Sequence, residues 1–488
     1  MRRLRCPDFI PRDIGGAASS GFSFHHSEYL LNLEIAKLAQ LHSSMDNLPE
    51  ELLVEIIKRL TRTSDLSSFS LVSKRFYTVD GGHRDAIRVS SGLWSVTLAL
   101  ESLCSRFPNL CKVEFDYSGV MTSHGMQLDN HGLRHASRRL TTLRLNTLPA
   151  ITSSGLLSVA VGCKSLSALQ LTNCNEVGSV EWLEYLGILG SLEELVVKNC
   201  KRISQFDLLK FGQGWVKLQK FEFQRKGWSN ITDPRDPSYV AHNQYGYYFS
   251  CENLKYLTLA RITTEKEIGL RCLLRKCKAL TNVCLHYVYG LKDADMITLT
   301  HSCSNLRSIS LRLTPQFNEG SVFRTSLTDD SLKALALRCP MLQSFELIFW
   351  ACDSSWPEIG FTQEGLVMLI QSCPIRDLVL SGANIFDDVG MKALSSAQFL
   401  ETLELTDCIE ITDAGMCLLA CCPSLVNLTL RQCDGFTDAG VTKVARARNL
   451  ESLIVEGCYR VSQEAVQGLA KSVRYDDGYP GLFRLDRV

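Results

Sequence analysis

The sequence lacks the signatures of several common functional classes. It contains no C-x-x-C pair, no H-E-x-x-H, no G-x-S-x-G and no P-loop, so the usual zinc, hydrolase and nucleotide-binding motifs are missing. It also lacks any run of about 18 apolar residues, which a membrane-spanning helix would need. We therefore expect a protein that is not an enzyme, holds no metal and has no membrane partner.

The chain also lacks an excess of charge of either sign. Its 52 Lys and Arg residues balance 52 Asp and Glu residues, so no bulk field attracts a polyanion. Nucleic acid is accordingly not an expected partner.

The sequence is instead rich in self-similarity. Residues 400–422 recur almost position for position in the following 25 residues. Leu403 and Leu405 are two apart and share one face of a strand, whereas Gly415, Leu418 and Leu419 follow helical spacing. This L-x-x-L-x-L-x-x-C spacing resembles the leucine-rich repeat. The resemblance implies an α/β solenoid, a horseshoe with parallel strands inside and helices outside.

Thirteen repeats align by their first apolar residue. These are Leu110, Leu140, Leu166, Leu192, Leu218, Leu254, Leu280, Leu306, Leu342, Ile375, Leu400, Leu425 and Leu450. A degenerate copy at Arg84 is typical of the capping repeat that a solenoid needs. We predict a solenoid over 83–471 and a C-terminal tail over 472–488.

Most of the 20 cysteines follow the phase of the repeat and not the spacing of a ligand set. Five lie eight residues after the first apolar residue: Cys174, Cys200, Cys408, Cys433 and Cys458. Six lie three residues before it, and a seventh is one position off: Cys163, Cys251, Cys277, Cys303, Cys339, Cys422 and Cys373. This pattern favours buried, reduced thiols in the cytoplasm or nucleus.

Before the repeats, residues 1–44 form an extension that we expect to be disordered, and residues 45–82 form a small helical domain. Pro49 suits a first helical turn, and an apolar stripe follows it. A second helix is predicted from Ser64, ending at Lys74–Phe76. Two such short helices cannot bury all this apolar surface among themselves, so part of it should face a partner.

This small domain resembles the F-box, whose pattern is L-P-x-E-L-L, I, L, D-L and a closing L-V-C-K-x-W. The matching residues are Leu48, Pro49, Glu51, Leu52, Leu53, Ile56, Leu60, Asp65, Leu66, Leu71, Val72 and Lys74. Ser73 replaces the usual Cys, and Phe76 replaces the usual Trp. An F-box directly ahead of Cys-containing repeats is the arrangement of the F-box/leucine-rich-repeat family.

The resemblance implies a substrate receptor of a Skp–cullin–F-box ubiquitin ligase, which binds a Skp-type adaptor, through it a cullin, and also a target protein. The adaptor-binding residues would be Leu48, Pro49, Leu52, Leu53, Ile56, Leu60, Leu71, Val72 and Phe76. The alternative is a leucine-rich-repeat scaffold or inhibitor that never joins a ligase.

Three repeats are longer than the others. The starts at 218 and 254, at 306 and 342, and at 342 and 375 are 36, 36 and 33 residues apart. Extra residues in a solenoid are pushed into loops, often on the binding face. Their aromatic residues suit interface anchors, although they could merely close the loops. The predicted target-binding residues are Trp228, Tyr245, Tyr247, Phe317, Phe323, Trp350 and Trp356.

A second candidate surface is the exposed side of the strands. An anion patch could be formed by Lys198, Arg225, Arg261, His286 and Arg312. Carboxylates such as Glu222 and Glu346 occupy equivalent positions and favour the alternative, a solvated surface of mixed positive and negative charge that binds no anion. Plant hormone receptors of this family hold inositol polyphosphate and a small ligand, but these basic residues are too sparse to predict either, so we expect no cofactor.

Overall fold

In the computed structural model of the protein, the described residues are 47–60, 62–90, 102–118, 128–134, 139–179, 181–205, 207, 215–226, 251–264, 270–314, 316–318, 321–324, 327–349, 360–468 and 470–477. The chain divides into two compact units between Arg84 and Asp85.

The N-terminal unit is a bundle of three short helices. They are α1 Glu50–Arg59, α2 Thr63–Ser70 and α3 Lys74–His83. Its core consists of Leu53, Ile57, Phe69, Phe76 and Val79. The rings of Phe69 and Phe76 lie 4.5 Å apart at 42°, so the core joins all three helices.

The third helix differs from the sequence-based prediction, which ended the second helix at Lys74–Phe76. Ser73 has an extended backbone (φ −154°, ψ 167°), and its side chain accepts a hydrogen bond from the Phe76 N–H. This N-cap ends the preceding turn and starts α3. Ser64 does not cap α2, which begins one residue earlier at Thr63.

The second unit is a solenoid whose sheet has 15 strands. All paired neighbours of this sheet are parallel and in register. The strands are β1 Ala86–Ser90, β2 Lys112–Asp116, β3 Thr142–Asn146, β4 Ala168–Thr172, β5 Glu194–Lys198, β6 Lys220–Gln224, β7 Tyr256–Ala260, β8 Asn282–His286, β9 Ser308–Leu313, β12 Ser344–Phe349, β13 Asp377–Ser381, β14 Thr402–Thr406, β15 Asn427–Arg431, β16 Ser452–Glu456 and β17 Ser472–Asp476. Between β9 and β12, β10 Gln316–Asn318 and β11 Ser321–Arg324 form a separate antiparallel hairpin.

Helices return the chain from one strand to the next. They are α4 Asn130–Arg134, α5 Ser153–Gly162, α6 Glu181–Leu189, α7 Leu270–Lys276, α8 Asp293–Ser302, α9 Asp329–Arg338, α10 Gln363–Ser372, α11 Asp388–Ser395, α12 Asp413–Leu419 and α13 Asp438–Ala445. This is the predicted α/β architecture of the leucine-rich-repeat type, and all thirteen predicted repeat starts lie two residues before a strand.

One apolar core runs through the solenoid. The second and fourth residues of a strand, for example Leu403 and Leu405, are fully buried against the helices. Buried side chains from Ile87 to Val466 belong to one continuous cluster. The first, third and fifth residues of each strand point to the opposite side of the sheet, which we call the strand face.

The sheet extends one strand beyond the predicted end of the solenoid. Residues Ser472–Asp476 pair with β16 in parallel register, so the tail predicted over 472–488 begins with a strand. The sequence does not reveal it because this strand lacks the two buried leucines of the repeat, and four of its five residues are exposed.

Polar contacts between repeats join the starts of successive helices. An aspartate near one helix start accepts hydrogen bonds from the backbone N–H and the hydroxyl of a Thr or Ser in the next repeat. The pairs of this aspartate ladder are Asp293–Thr328, Asp329–Thr362, Asp388–Thr412, Asp413–Thr437 and Asp438–Ser462. Four of these residues, Thr328, Thr362, Thr412 and Thr437, are also N-caps of their own helices.

Another contact crosses a whole repeat. Gln205 is 3% exposed, and its side-chain amide donates to the Thr263 carbonyl at 2.6 Å and accepts from the Thr263 N–H at 2.9 Å. Gln205 precedes β6 and Thr263 follows β7, so this two-bond clamp joins the repeats on either side of residues 227–250.

Candidate interaction surfaces

The residues predicted to bind an adaptor differ in exposure. Leu53 and Phe76 are fully buried in the core of the N-terminal unit, so their role in this structure is to hold the three helices together. Leu48, Ile56 and Leu60 are partly buried against the same core. These five side chains shape the unit more than they present a contact surface.

The other predicted residues are exposed. Leu52 is 50% exposed, Leu71 82% and Val72 39%, and Pro49 is also exposed. Arg75 donates a hydrogen bond to the Leu48 carbonyl, which holds the start of α1 close to the start of α3. Apolar side chains from the α1 start and the α2–α3 turn therefore lie exposed on one small unit.

Tyr77 is a further exposed apolar side chain of this unit that the sequence pattern does not predict. It is 47% exposed. Adjacent residues of an α-helix point about 100° apart, so a residue next to fully buried Phe76 was a candidate for exposure. The structure was needed to show that Phe76 is the buried one.

Ion pairs between neighbouring strands neutralise much of the strand face. The Lys198 ammonium lies 2.7 Å from Glu222, and the Arg312 guanidinium lies 2.8 Å from Glu346. Other pairs of this kind are Lys220–Glu194, Arg88–Asp116, Arg431–Glu456 and Arg474–Glu456. Lys198 and Arg312 are thus already paired, as the alternative of mixed charge expects.

His286 is held as a neutral imidazole in a hydrogen-bond network. Its Nε2 lies 2.8 Å from Ser310 Oγ, and Ser310 Oγ donates to Glu346 Oε1 at 2.9 Å. Because the single hydroxyl proton is directed at Glu346, His286 Nε2 must carry the proton of the imidazole bond. Burial, with a smaller contribution from Arg312, lowers the pKa of His286 to about 4. His286 therefore contributes no positive charge at neutral pH.

The same geometry explains why this Ser–His contact is not a nucleophile pair. A serine nucleophile needs an imidazole that accepts the hydroxyl proton. In this network His286 donates to the hydroxyl, and the Ser310 proton points at Glu346.

Arg225 and Arg261 occupy a different position from the other three residues of the predicted patch. They lie immediately after β6 and β7, and their backbone N–H groups donate to Ala260 O at 3.1 Å and His286 O at 2.9 Å. Only Lys198, His286 and Arg312 lie within strands.

The three long repeats leave the sheet at the same edge. They follow β6, β9 and β12, which are parallel members of one sheet. After the second and third, the predicted helices resume at α9 and α10, capped by Thr328 and Thr362. With strands about 4.8 Å apart, the three exits span roughly 20 Å.

The aromatic residues predicted there lie mostly beyond what the structure describes. Trp228, Tyr245 and Tyr247 fall in 227–250, and Trp350 and Trp356 fall in 350–359, all outside the described residues. Phe317 and Phe323 lie on β10 and β11, of which only the backbone is described.

The cysteines in repeat phase line the core. The 17 cysteines whose side chains the structure describes are all free thiols. Several donate weak hydrogen bonds to carbonyls of the preceding repeat, such as Cys303 to Cys277 at 3.1 Å and Cys433 to Leu405 at 3.6 Å. Burial raises the pKa of Cys303 to about 12, which keeps this thiol protonated and unreactive.

The described residues contain no group of three or more His, Cys, Asp and Glu side chains that could hold a metal ion. Nor does any helix among them have the length and apolarity to cross a membrane.

Comparison with known proteins identifies the N-terminal unit. Residues 45–79 match the F-box-like family. Among solved structures, the chain is similar to the yeast Rad7–Elc1 complex structure, with 17% identity over 92% of this chain and 96% of that chain and a TM-score of 0.45. For the TLR13–ssRNA13 complex the identity is 16%, the coverage 76% and 50%, and the TM-score 0.43. For an internalin (inlF) of Listeria monocytogenes these values are 15%, 74% and 93%, and 0.40. At these identities and TM-scores, none of the three transfers a function to this chain.

Proposed function

We propose that this chain, an F-box-like domain followed by a leucine-rich-repeat solenoid, is the substrate-recognition subunit of a Skp–cullin–F-box ubiquitin ligase. The match of residues 45–79 to the F-box-like family carries the proposal. It falls on a three-helix unit that exposes Leu52, Leu71 and Val72, which is the kind of apolar surface a permanent partner would cover.

In this role the F-box-like domain binds a Skp-type adaptor. Burying a Leu or Val side chain completely stabilises a complex by about 1.5–3 kcal/mol, and Leu71 alone is 82% exposed in the free chain. The buried residues Leu53 and Phe76 would act indirectly, by keeping α1, α2 and α3 in the geometry that the adaptor meets.

The solenoid would hold the target protein. Fifteen strands at about 4.8 Å give a strand face roughly 70 Å long, which is enough for a folded partner or an extended segment. The adaptor brings the cullin, and the cullin brings the ubiquitin-conjugating partner. The chain itself contributes binding and proximity. The free, buried thiols suit a reducing compartment, and we place the protein in the cytoplasm or nucleus.

The test is recovery of a Skp-type adaptor with a variant carrying Leu52→Ala and Leu71→Ala. Truncation of interface anchors often costs about 2 kcal/mol or more, so we expect affinity to fall by about 30-fold or more. Because both side chains are exposed, the thermal unfolding temperature should change little. The matched control is Ile188→Ala, an apolar residue on α6 that is 83% exposed, which should bind the adaptor normally.

Leu53→Ala distinguishes the loss of an adaptor contact from the unfolding of the N-terminal unit. It removes a fully buried core side chain and should cost about 2–5 kcal/mol of stability, so adaptor binding would be lost together with the helical signal of the N-terminal unit. If the Leu52, Leu71 variant recovers the adaptor as well as wild type does, the F-box function is refuted, and the scaffold alternative takes its place.

A further inference from the structure

The residues that follow the strands form a row along one edge of the sheet. In this strand-exit row, the backbone N–H donates to the carbonyl of the fifth strand residue of the next repeat, as in Asn199 to Gln224, Arg261 to His286 and Tyr287 to Arg312. Many members adopt the left-handed conformation with φ near 55°. Arg261 is the arginine of the row with this conformation (φ 55°).

Among the residues that the structure describes, Arg261 differs from the cations of the adjoining strand face in having no anionic partner. Lys198 and Arg312 are paired with Glu222 and Glu346, and His286 is a neutral hydrogen-bond donor. Within the described ranges, the Arg261 guanidinium makes no hydrogen bond and no ion pair, and its Nε is buried without an acceptor. A buried donor on a charged group that lacks an acceptor is destabilising.

We propose that Arg261 is the anchor for a single carboxylate, an Asp or Glu side chain in an extended acidic segment of the target protein. This inference rests on the proposed function, because it names the chemistry of the target that the solenoid would hold. The guanidinium fork matches the planar geometry of a carboxylate and can bind it through two parallel hydrogen bonds.

Charge balance favours a carboxylate over a phosphate. A phosphate group brings about two negative charges and usually requires several cations. Lys198 on β5 and Arg312 on β9 are already paired with carboxylates, and those carboxylates, Glu222 and Glu346, would repel a dianion bound to this part of the sheet. One uncommitted guanidinium balances one carboxylate.

The first experiment compares the stabilities of Arg261→Met and Arg312→Met in the full-length chain. Methionine keeps most of the aliphatic stem and removes the charge. Loss of the unpartnered Arg261 charge should leave the thermal unfolding temperature unchanged or raise it by about 1–3 °C. Loss of Arg312 should lower it, because Glu346 then loses its ion pair. A clear decrease with Arg261→Met would show that an acceptor within the chain already holds the guanidinium, and would overturn the proposal.

The second experiment selects ligands from random short peptides displayed on phage, with the full-length wild-type chain as bait. We expect enrichment of Asp or Glu at one position, and binding of a selected peptide that is about tenfold or more weaker to Arg261→Met. The control is Arg202→Met, which removes an exposed cation paired with Glu176 at 2.9 Å and should leave peptide binding unchanged.

Three outcomes of this experiment would overturn the proposal. The selected peptides could show no enriched Asp or Glu, or a selected acidic peptide could bind Arg261→Met as tightly as wild type. Binding could also weaken equally in Arg202→Met. Inorganic phosphate could also raise the unfolding temperature of wild type but not of Arg261→Met. That result would overturn the assignment to a carboxylate. Peptide selection does not require the adaptor. Its failure is therefore distinguishable from failure of the proposed ligase role, which adaptor recovery measures.

Discussion

Asp413 occupies the space that a β-carbon on Gly440 would need. A Cβ built on Gly440 would lie 2.6 Å from Asp413 Oδ1, and the Gly440 N–H donates to that same oxygen at 3.0 Å. The arrangement recurs one repeat earlier, where a Cβ on Gly415 would lie 2.3 Å from Asp388 Oδ1. The Gly in the recurring Thr-Asp-Ala-Gly segments is thus required by the aspartate of the preceding repeat.

Gly440→Ala should therefore destabilise the solenoid, although alanine is the better helix former by about 1 kcal/mol. The added methyl group must displace Asp413 from its hydrogen bonds with Thr437, and we expect a net loss of about 1–3 kcal/mol. Urea unfolding would measure it.

The matched control is Gly162→Ala at the end of α5, where a Cβ would have no atom within 4 Å. This variant should be neutral or more stable by up to about 1 kcal/mol. Stabilisation by both substitutions would show that the ladder geometry does not constrain Gly440.

Acid should weaken the aspartate ladder at Asp413. Burial alone would raise the pKa of Asp413, but hydrogen bonds from Thr437 and Gly440 outweigh it and hold the pKa below its ordinary value of 3.8. A carboxyl group with a lowered folded-state pKa stabilises the fold above the unfolded-state pKa and loses this contribution as pH falls through the folded-state value. We therefore expect the protection factors of the Thr437 and Gly440 amides, which correct the exchange rates for the intrinsic effect of pH, to decrease below about pH 4.

Asp413→Asn is the companion variant. It keeps one acceptor oxygen and cannot titrate. The protection factors of the same two amides should therefore be lower than in wild type near neutral pH and should depend less on pH in the acid range. If acid lowers the protection of these two amides equally in both proteins, groups other than Asp413 cause the loss.

His286 predicts a second pH dependence of stability, at less acidic pH. Burial lowers the pKa of His286 to about 4, well below its unfolded-state value of about 6.5. The unfolded chain therefore binds more protons between these values, and stability falls as pH decreases from 6.5 towards 4. Between pH 7 and pH 5 this group should cost about 2 kcal/mol.

The measurement is the difference in urea midpoint between pH 7 and pH 5 for wild type and His286→Gln. A Gln amide can still donate towards Ser310 but does not titrate. The variant should lose less stability on acidification, and an identical loss in both proteins would refute the buried neutral imidazole.

The long repeats predict a target contact through their tryptophans. Replacing Trp228, Trp350 and Trp356 by Ala should weaken target capture by about tenfold or more, because aromatic anchors often contribute 2 kcal/mol or more. Capture would be measured with proteasome activity blocked.

Phe399→Ala is the aromatic control for that experiment. Phe399 is 50% exposed and precedes β14, at the edge of the sheet where strands begin. It should capture target normally. Normal capture by the triple variant, or its unfolding, would assign the tryptophans to loop packing.

The sequence predicted the repeat frame well because one period controls both strand and helix. Leu400 and Leu450 lie two residues before β14 and β16, as the frame requires. It did not separate Leu52 from Leu53, since five apolar residues in α1 make a stripe too wide to show which side faces the core. The partners of Asp413 were also missed, because their contacts join residues 24 to 27 positions apart.

The Gln205–Thr263 clamp should keep the solenoid in one piece even if the chain is cut within 227–250. β6 and β7 pair through all five residues, from Lys220–Tyr256 to Gln224–Ala260, and the clamp joins the flanking repeats a second time. A molecule cut by a protease within this segment would migrate as two fragments in denaturing gels, yet elute as a single particle in native solution. Its two halves would be held together without a covalent bond.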